Sequence, residues 1–165
     1  MPLTIRRLTP NDATAYRAIR LEALQTDPDA FGARHEHEAA QPHSVFVARL
    51  ATSTIVAAEA AGTLVGMAAL KRHEATGETH KAFVWGVFVS PAWRRHGLSR
   101  SLMTALLDEA SPPIEHLTLT VAAGNVPAQS LYESLGFRTY GIEPRAYKTA
   151  HGYRDAILMA HFPSP

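Results

Sequence analysis

The chain has 165 residues, of which 46% are hydrophobic, and it carries 16 Lys and Arg against 15 Asp and Glu. This length supports one well-buried core but is short for two ordinary domains, so we expect residues 1–165 to form a single domain. The balanced charge argues against nucleic acid or an anionic membrane as a partner, and the lack of cysteine excludes disulfides and thiolate nucleophiles.

The first third of the chain combines a short strand pattern with helical patterns. Residues 3–8 alternate apolar and basic side chains, which predicts a strand. Tyr16, Ile19 and Ala23 recur at helical spacing and predict an amphipathic helix that ends near Asp27-Pro28. The segment 33–53 is ambiguous, and we expect a helix in its second half.

From residue 54 the pattern changes to strands. Residues 55–60 and 64–70 flank a short turn with a glycine, which predicts an antiparallel hairpin. Residues 82–89 are almost all apolar, as in a central strand covered on both faces. Gly86 within that strand indicates a bulge or a close backbone approach.

Strands and helices alternate in the second half of the chain. The pattern predicts a helix whose apolar stripe runs from Leu98 to Leu106, a strand over 117–121, a helix over 128–135, and strands over 137–142 and 153–161. This order predicts a mixed α/β (α+β) sandwich.

The basic turn before Leu98 is the most informative stretch. Free amides at a helix start attract anions, and Gly97 would let a phosphate approach the backbone without a Cβ in the way. Arg94, Arg95 and Arg100 add charge that suits a pyrophosphate. The alternative is that Gly97 only eases a tight turn and the arginines are solvated. The turn has neither the P-loop pattern nor the Gly-x-Gly-x-x-Gly dinucleotide pattern.

The sequence Arg94-Arg95-His96-Gly97-Leu98-Ser99 resembles the Arg/Gln-x-x-Gly-x-Gly/Ala signature of the GNAT superfamily, in which this turn binds the pyrophosphate of acyl-CoA. Ser99 is a departure, since the family usually has Gly or Ala there. Asn125, Ala128 and the stretch 131–137 (Leu-Tyr-x-x-x-Gly-Phe) resemble the second motif of the same family.

This resemblance implies a three-layer sandwich in which about four helices flank a mixed, mostly antiparallel sheet of about seven strands with a splayed central strand. It implies acetyl-CoA as cosubstrate, and because GNAT domains often dimerise it suggests a homodimer. It assigns cofactor contacts to Val87, Phe88, Val89, Arg94, Arg95, His96, Gly97, Leu98, Ser99, Arg100, Asn125, Ala128 and Tyr132. Asn125 is also predicted to cap the helix that begins near Val126-Pro127.

Tyr132 has two interpretations. It lies on an inward helical stripe, where a core tyrosine would bond a backbone carbonyl. By resemblance it is instead the general acid that protonates the departing CoA thiolate, and a phenol pKa near 10 is close enough to a thiol pKa near 8.5 for that transfer. The resemblance also implies that backbone amides near Gly86, those of Phe88 and Val89, hold the thioester carbonyl.

The residue that would deprotonate the amine is not obvious. Many GNAT members have a Glu at the position that Trp85 occupies here. His80, at the strand entrance, is the predicted base because imidazole has a suitable intrinsic pKa. The alternatives are loss of the proton to solvent or one of Glu22, Glu59, Glu74 and Glu78.

Aromatic and histidine residues also occur outside the two motifs. Phe31, Trp85 and Tyr147 either line an acceptor pocket, by analogy with GNAT folds, or pack in the core. The cluster 35–38 (His-Glu-His-Glu) alternates in a way that does not converge ligands on a helix or a strand, so no metal site is predicted.

The predicted function is transfer of an acetyl group from acetyl-CoA to a primary amine of a small molecule or peptide, directly within a ternary complex. The alternative is a non-catalytic acyl-CoA sensor or regulatory domain, suggested by Ser99 and the absent Glu. A cytoplasmic location is expected, because residues 1–7 lack the apolar stretch of a signal peptide and no window approaches the roughly 18 apolar residues of a membrane span.

Overall fold

Seven strands form one mixed sheet in the computed structural model, which describes residues 2–164. The strands are β1 (Leu3–Arg7), β2 (Thr54–Ala60), β3 (Thr63–Arg72), β4 (Lys81–Val89), β5 (His116–Ala122), β6 (Arg138–Thr149) and β7 (Gly152–His161). Their order in the sheet is β1-β2-β3-β4-β5-β7-β6. Within residues 2–164 the β4–β5 pair is parallel and the other five neighbouring pairs are antiparallel, which confirms the predicted sheet.

Five α-helices accompany this sheet within residues 2–164, against about four predicted. They are α1 (Ala13–Thr26), α2 (His35–Ala39), α3 (His43–Thr52), α4 (Leu98–Asp108) and α5 (Val126–Ser134). α1 ends next to the predicted stop, and α3 confirms the helix expected in the second half of 33–53. α2 is the additional helix. None of the helices between residues 2 and 164 combines the length and the apolar character that a membrane crossing requires.

Alternate residues of each strand point to two hydrophobic layers. Val56 and Ala58 of β2 pack in one core cluster with Leu102 of α4. Ile55 and Ala57 point the other way, into a cluster with residues of α1 and α3. The helices therefore cover both faces of the sheet, and the predicted three-layer sandwich is confirmed.

Strand β6 extends beyond the predicted end at residue 142. It continues to Thr149 through Pro144, with an irregular register against β7. Because β6 is the edge strand, Pro144 removes no interior ladder hydrogen bond. The backbone amide of Arg145 instead donates to a carboxylate oxygen of Asp155 at 2.8 Å.

A gap between β4 and β5 positions the site. The two strands pair only where Lys81–Phe83 lies beside His116–Thr118, and they diverge beyond that point. Gly86 has a φ of +61° and lies at an irregularity in the β3–β4 register, as its bulge prediction required. Both faces of β4 are covered, as expected: Val84 packs in one hydrophobic layer and Phe88 in the other. Phe83, which lines the cleft, is 37% exposed.

Candidate functional site

The turn between β4 and α4 presents a row of free backbone donors. Gly97 is the residue before α4 and has a left-handed φ of +75°, and Arg95 is also left-handed, with a φ of +66°. Among the described residues, the amides of residues 95–100 have no hydrogen-bond acceptor, and the ladder of α4 begins with the Ser101 amide on the Gly97 carbonyl at 3.1 Å. Such successive amides at a helix start form an anion site.

The three arginines of the turn have different environments. Arg94 donates from Nε to the Val89 carbonyl at 2.8 Å and from Nη2 to a carboxylate oxygen of Asp27 at 2.6 Å, so it ties the turn to β4 and to the end of α1. Arg100 donates to the Ser134 hydroxyl at 2.7 Å and links α4 to α5. The Arg95 guanidinium makes no such contact within residues 2–164.

The other residues assigned to the cofactor lie on neighbouring segments. Val87, Phe88 and Val89 form the end of β4, and His96, Leu98 and Ser99 flank Gly97. Asn125 caps α5, as predicted: its side chain accepts from the Ala128 amide at 3.4 Å.

Backbone alternation determines where the end of β4 points its amides. The Ser90 amide donates to the Val65 carbonyl of β3 at 2.9 Å. Because successive peptide groups of a strand point to opposite edges, the Val89 amide is directed away from β3 and toward the β4–β5 gap. By the same alternation the Phe88 amide points to β3.

Tyr132 lies in the core cluster beside α4 and is 7% exposed. Its ring makes an edge contact with Phe137 at 5.9 Å between centroids. The hydroxyl bonds no carbonyl in the described chain, so the core-tyrosine interpretation lacks its expected partner. Burial raises the pKa of Tyr132 to about 12, above the ordinary phenol value assumed from the sequence.

A cleft of about 440 Å³ opens where β4 and β5 separate. Phe31, Trp85 and Tyr147 all line it, so the three candidate residues for an acceptor pocket come together. Its other walls are Arg20, Ala30, Gly32, His73, Phe83, Val84, Gly86, Thr118, Leu119 and Thr120. No lining residue is an Asp, a Glu or a Lys.

One buried ionic cluster borders this cleft. Glu38 accepts two hydrogen bonds from Arg20, at 3.0 and 3.1 Å, and two from Arg49, at 2.9 and 3.2 Å. Burial acts to raise the pKa of Glu38, but the hydrogen bonds from the two guanidinium groups outweigh it and lower that pKa. Glu38 is therefore ionised, and the cluster of one carboxylate and two guanidinium groups carries one excess positive charge. It links α1, α2 and α3.

A model of the acetyltransferase (GNAT) family matches residues 16–137. The chain belongs to this family. N-alpha-acetyltransferase RimI of Mycobacterium tuberculosis is 31% identical over 158 residues, which cover 96% of this chain and 91% of that protein. The ribosomal protein bS18-alanine N-acetyltransferase of Salmonella typhimurium is 42% identical over 81 residues, 48% of this chain and 55% of that protein, so the matched part spans about half of that relative.

The fold of a solved relative agrees with this membership. The crystal structure of the ribosomal-protein-S18-alanine N-acetyltransferase from Escherichia coli superposes with a TM-score of 0.76 at 26% identity. The match covers 99% of this chain and 96% of that one.

The GNAT fold here does not bring the predicted base to the cleft. His80 is exposed at the start of β4, its carbonyl accepts from the Glu115 and His116 amides, and its side chain does not line the cleft. The four glutamates also lie outside the lining set, and Glu59 and Glu78 are paired with Arg6 and Lys81 at 2.9 Å each.

His73 lines the cleft instead, although no sequence pattern singled it out. Its ring lies edge-on to Phe83 at 5.8 Å between centroids, and its Nδ1 is 3.7 Å from a carboxylate oxygen of Glu78. The sequence signal that could have found His73 is only its position just after β3, opposite the start of β4.

The raised pKa of Tyr132 predicts a late step in a phenol titration. When the titration of Tyr132→Phe is subtracted from that of the wild-type protein, the remaining tyrosinate absorbance should appear with a midpoint near pH 12. Because the pKa of Tyr132 is higher in the folded than in the unfolded chain, its contribution to the free energy of unfolding is fully present below about pH 10. That contribution is lost as the pH rises from about 10 to about 12. The exposed Tyr140, replaced by Phe, is the control, and a Tyr132 midpoint near 10 would contradict the buried site.

Proposed function

We propose that this protein transfers an acetyl group from acetyl-CoA to a primary amine of a small molecule or peptide, directly within a ternary complex. The supporting observation is a single gap between β4 and β5, with the anion-binding turn beside one end and the cleft at the other. Single-domain organisation, a homodimer and a cytoplasmic location stay predictions.

The main-chain donors of the turn suit the diphosphate of CoA. The amides of residues 95–100 and the Arg95 side chain would hold it, while Arg94 fixes the turn through Asp27 and Val89. The Val89 amide, which points into the gap, would donate to the thioester carbonyl and to the oxyanion that forms there.

Direct transfer needs a proton acceptor for the amine and a donor for the sulfur. The amine nitrogen attacks the thioester carbon, the carbon–sulfur bond breaks, and the thiolate leaves with the bonding electrons. His73 would take the amine proton, since it is the imidazole that lines the cleft. Tyr132 would donate to the sulfur, and its pKa of about 12 keeps it protonated for that role.

That pKa changes how Tyr132 acts. A thiolate whose thiol has a pKa near 8.5 is a weaker base than the buried Tyr132 phenolate, so complete proton transfer from Tyr132 to the thiolate is unfavourable. The pKa values of the Tyr132 phenol and the CoA thiol are therefore not nearly matched in the free protein, contrary to the expectation from the sequence. Tyr132 contributes first as a hydrogen-bond donor to the developing thiolate.

CoA release over a panel of amines tests the proposed function. The panel should include small amines and peptides that begin with alanine, because the Salmonella typhimurium and Escherichia coli relatives are named as ribosomal-protein alanine N-acetyltransferases. We expect turnover with at least one acceptor, and Tyr132→Phe should lower kcat about 100-fold. Acetyl-CoA binding without turnover on any acceptor would favour the sensor or regulatory alternative.

Gly97→Ala tests the anion-binding turn. We expect the Kd for acetyl-CoA to rise roughly tenfold, because a Cβ would lie where the diphosphate approaches the amides. Gly62→Ala is a matched control, since Gly62 has a φ of +77° against +75° for Gly97 and both have open space around them. Equal affinities of the two variants would contradict the assignment of this turn. Calorimetric titration provides the measurement.

A pair of histidine variants tests the base. His73→Asn should lower kcat about 100-fold, because it removes the proton acceptor in the cleft. His80→Asn should leave kcat unchanged, because His80 lies outside the cleft. Steady-state kinetics with the best acceptor of the panel provide the comparison, and the reverse result would restore His80 as the base.

A further inference from the structure

Arg20 presents a buried cationic donor to the cleft. Its side chain is 93% buried, since only 7% of its surface is exposed. The Nε and Nη2 atoms donate to Glu38, and Nη1 has no acceptor within residues 2–164. Nη1 lies 3.6 Å from the position that a Cβ on Gly86 would take, so it is directed at the bulge of β4.

The guanidinium retains a complete binding edge. Glu38 uses the side of the group formed by Nε and Nη2, which leaves the end formed by Nη1 and the second hydrogen of Nη2. That end offers two parallel N–H groups, the arrangement that matches a carboxylate in a bidentate pair. The rings of Phe31 and Trp85 lie 5.4 and 5.6 Å from the central guanidinium carbon and restrict its movement.

The surrounding charge favours an anion at this edge. Glu38 neutralises only one of the two arginines that it binds, and no acidic residue lines the cleft. A second donor nearby also lacks a partner: the indole Nε1 of Trp85 is buried without an acceptor. Buried donors are normally paired, but within residues 2–164 two donors of the cleft walls, Arg20 Nη1 and Trp85 Nε1, have no acceptor.

We propose that Arg20 binds a carboxylate of the acceptor, so that the acetylated substrate is an amine that also carries a carboxylate. This inference rests on the proposed function, because it concerns the acceptor side of the same gap. The carboxylate belongs either to a free amino acid or to the first residue of a peptide.

The spacing along β4 limits the distance between the amine and the carboxylate of the acceptor. Gly86, which adjoins Arg20, and Val89, whose amide faces the gap, are three residues apart, about 10 Å along a strand. An amine that attacks a carbonyl held at Val89 therefore lies within a few bonds of a carboxylate held at Arg20. A small amino acid fits this separation, and so does an N-terminal Asp or Glu.

Matched acceptor pairs test the inference. We would compare kcat/KM for amino acids with that for their carboxamides, and for peptides that begin with Asp or Glu with those that begin with Asn or Gln, after correction for the fraction of neutral amine. The carboxylate member should be preferred about 10- to 100-fold in one of these two series. The series that shows the preference identifies the source of the carboxylate.

Variants on α1 assign the preference to Arg20. Arg20→Gln should reduce the ratio of kcat/KM between the carboxylate and the neutral acceptor to about unity, without changing the Kd for acetyl-CoA. Arg17→Gln is the control, since Arg17 lies one turn earlier on the helix, donates to the Ala39 carbonyl at 2.8 Å and does not line the cleft. Where Arg20→Gln fails to fold, Arg20→Lys, which keeps a positive charge beside Glu38 but loses the paired N–H groups of the guanidinium, is measured in its place.

Product binding separates this inference from the proposed function. The Kd values of an N-acetyl-amino acid and of its carboxamide, measured by calorimetry in the presence of CoA, require no turnover. Tighter binding of the carboxylate form, lost in Arg20→Gln, supports the role of Arg20 even if no acceptor is turned over. Equal binding or equal turnover of the members of every pair overturns it, and turnover of neutral peptides alone would leave only the proposed function standing.

Discussion

The separation of β4 from β5 is the constraint on which the rest of the site depends. Three residue pairs hold the two strands together, from Lys81 to Phe83, and beyond them β4 has no ladder partner on that side. Gly86 supports this shape, because its φ of +61° strains any residue with a Cβ. The unpaired edge of β4 then offers backbone donors, and the space beside it becomes the cleft.

The buried cluster of Arg20, Glu38 and Arg49 is costly, which makes its position informative. Charges removed from water pay a large desolvation penalty, and a buried ion pair is weak evidence for stability. Removing one partner would leave an uncompensated buried charge, so the three groups maintain one another. The cluster therefore holds the Arg20 guanidinium rigidly against Gly86, where a solvated side chain would have many rotamers.

Local patterns predicted most of the fold because helices and strands depend on neighbouring residues. The basic turn and the Asn125 cap were recognisable for the same reason. Contacts between residues distant in the sequence were not recognisable. The charge of Arg94 suggested that it binds phosphate, but its guanidinium donates to Asp27, 67 residues away. Likewise, the sequence placed His80 near a strand entrance but could not show that the β4–β5 cleft is lined by His73.

The net charge of the chain does not reveal the hydrogen-bond donors at the two ends of the β4–β5 gap. A chain with a formal charge of +1 has no field that would steer anions, yet among the described residues both ends of its gap hold donors without acceptors. At the turn most of the donors are backbone amides, which add dipoles, and the exposed Arg95 side chain adds charge; together they suit a diphosphate that stays partly in water. At the cleft the donor is a buried guanidinium, whose full charge can offset the desolvation of a carboxylate. The difference follows from depth, because an anion held away from water needs a countercharge and not only hydrogen bonds.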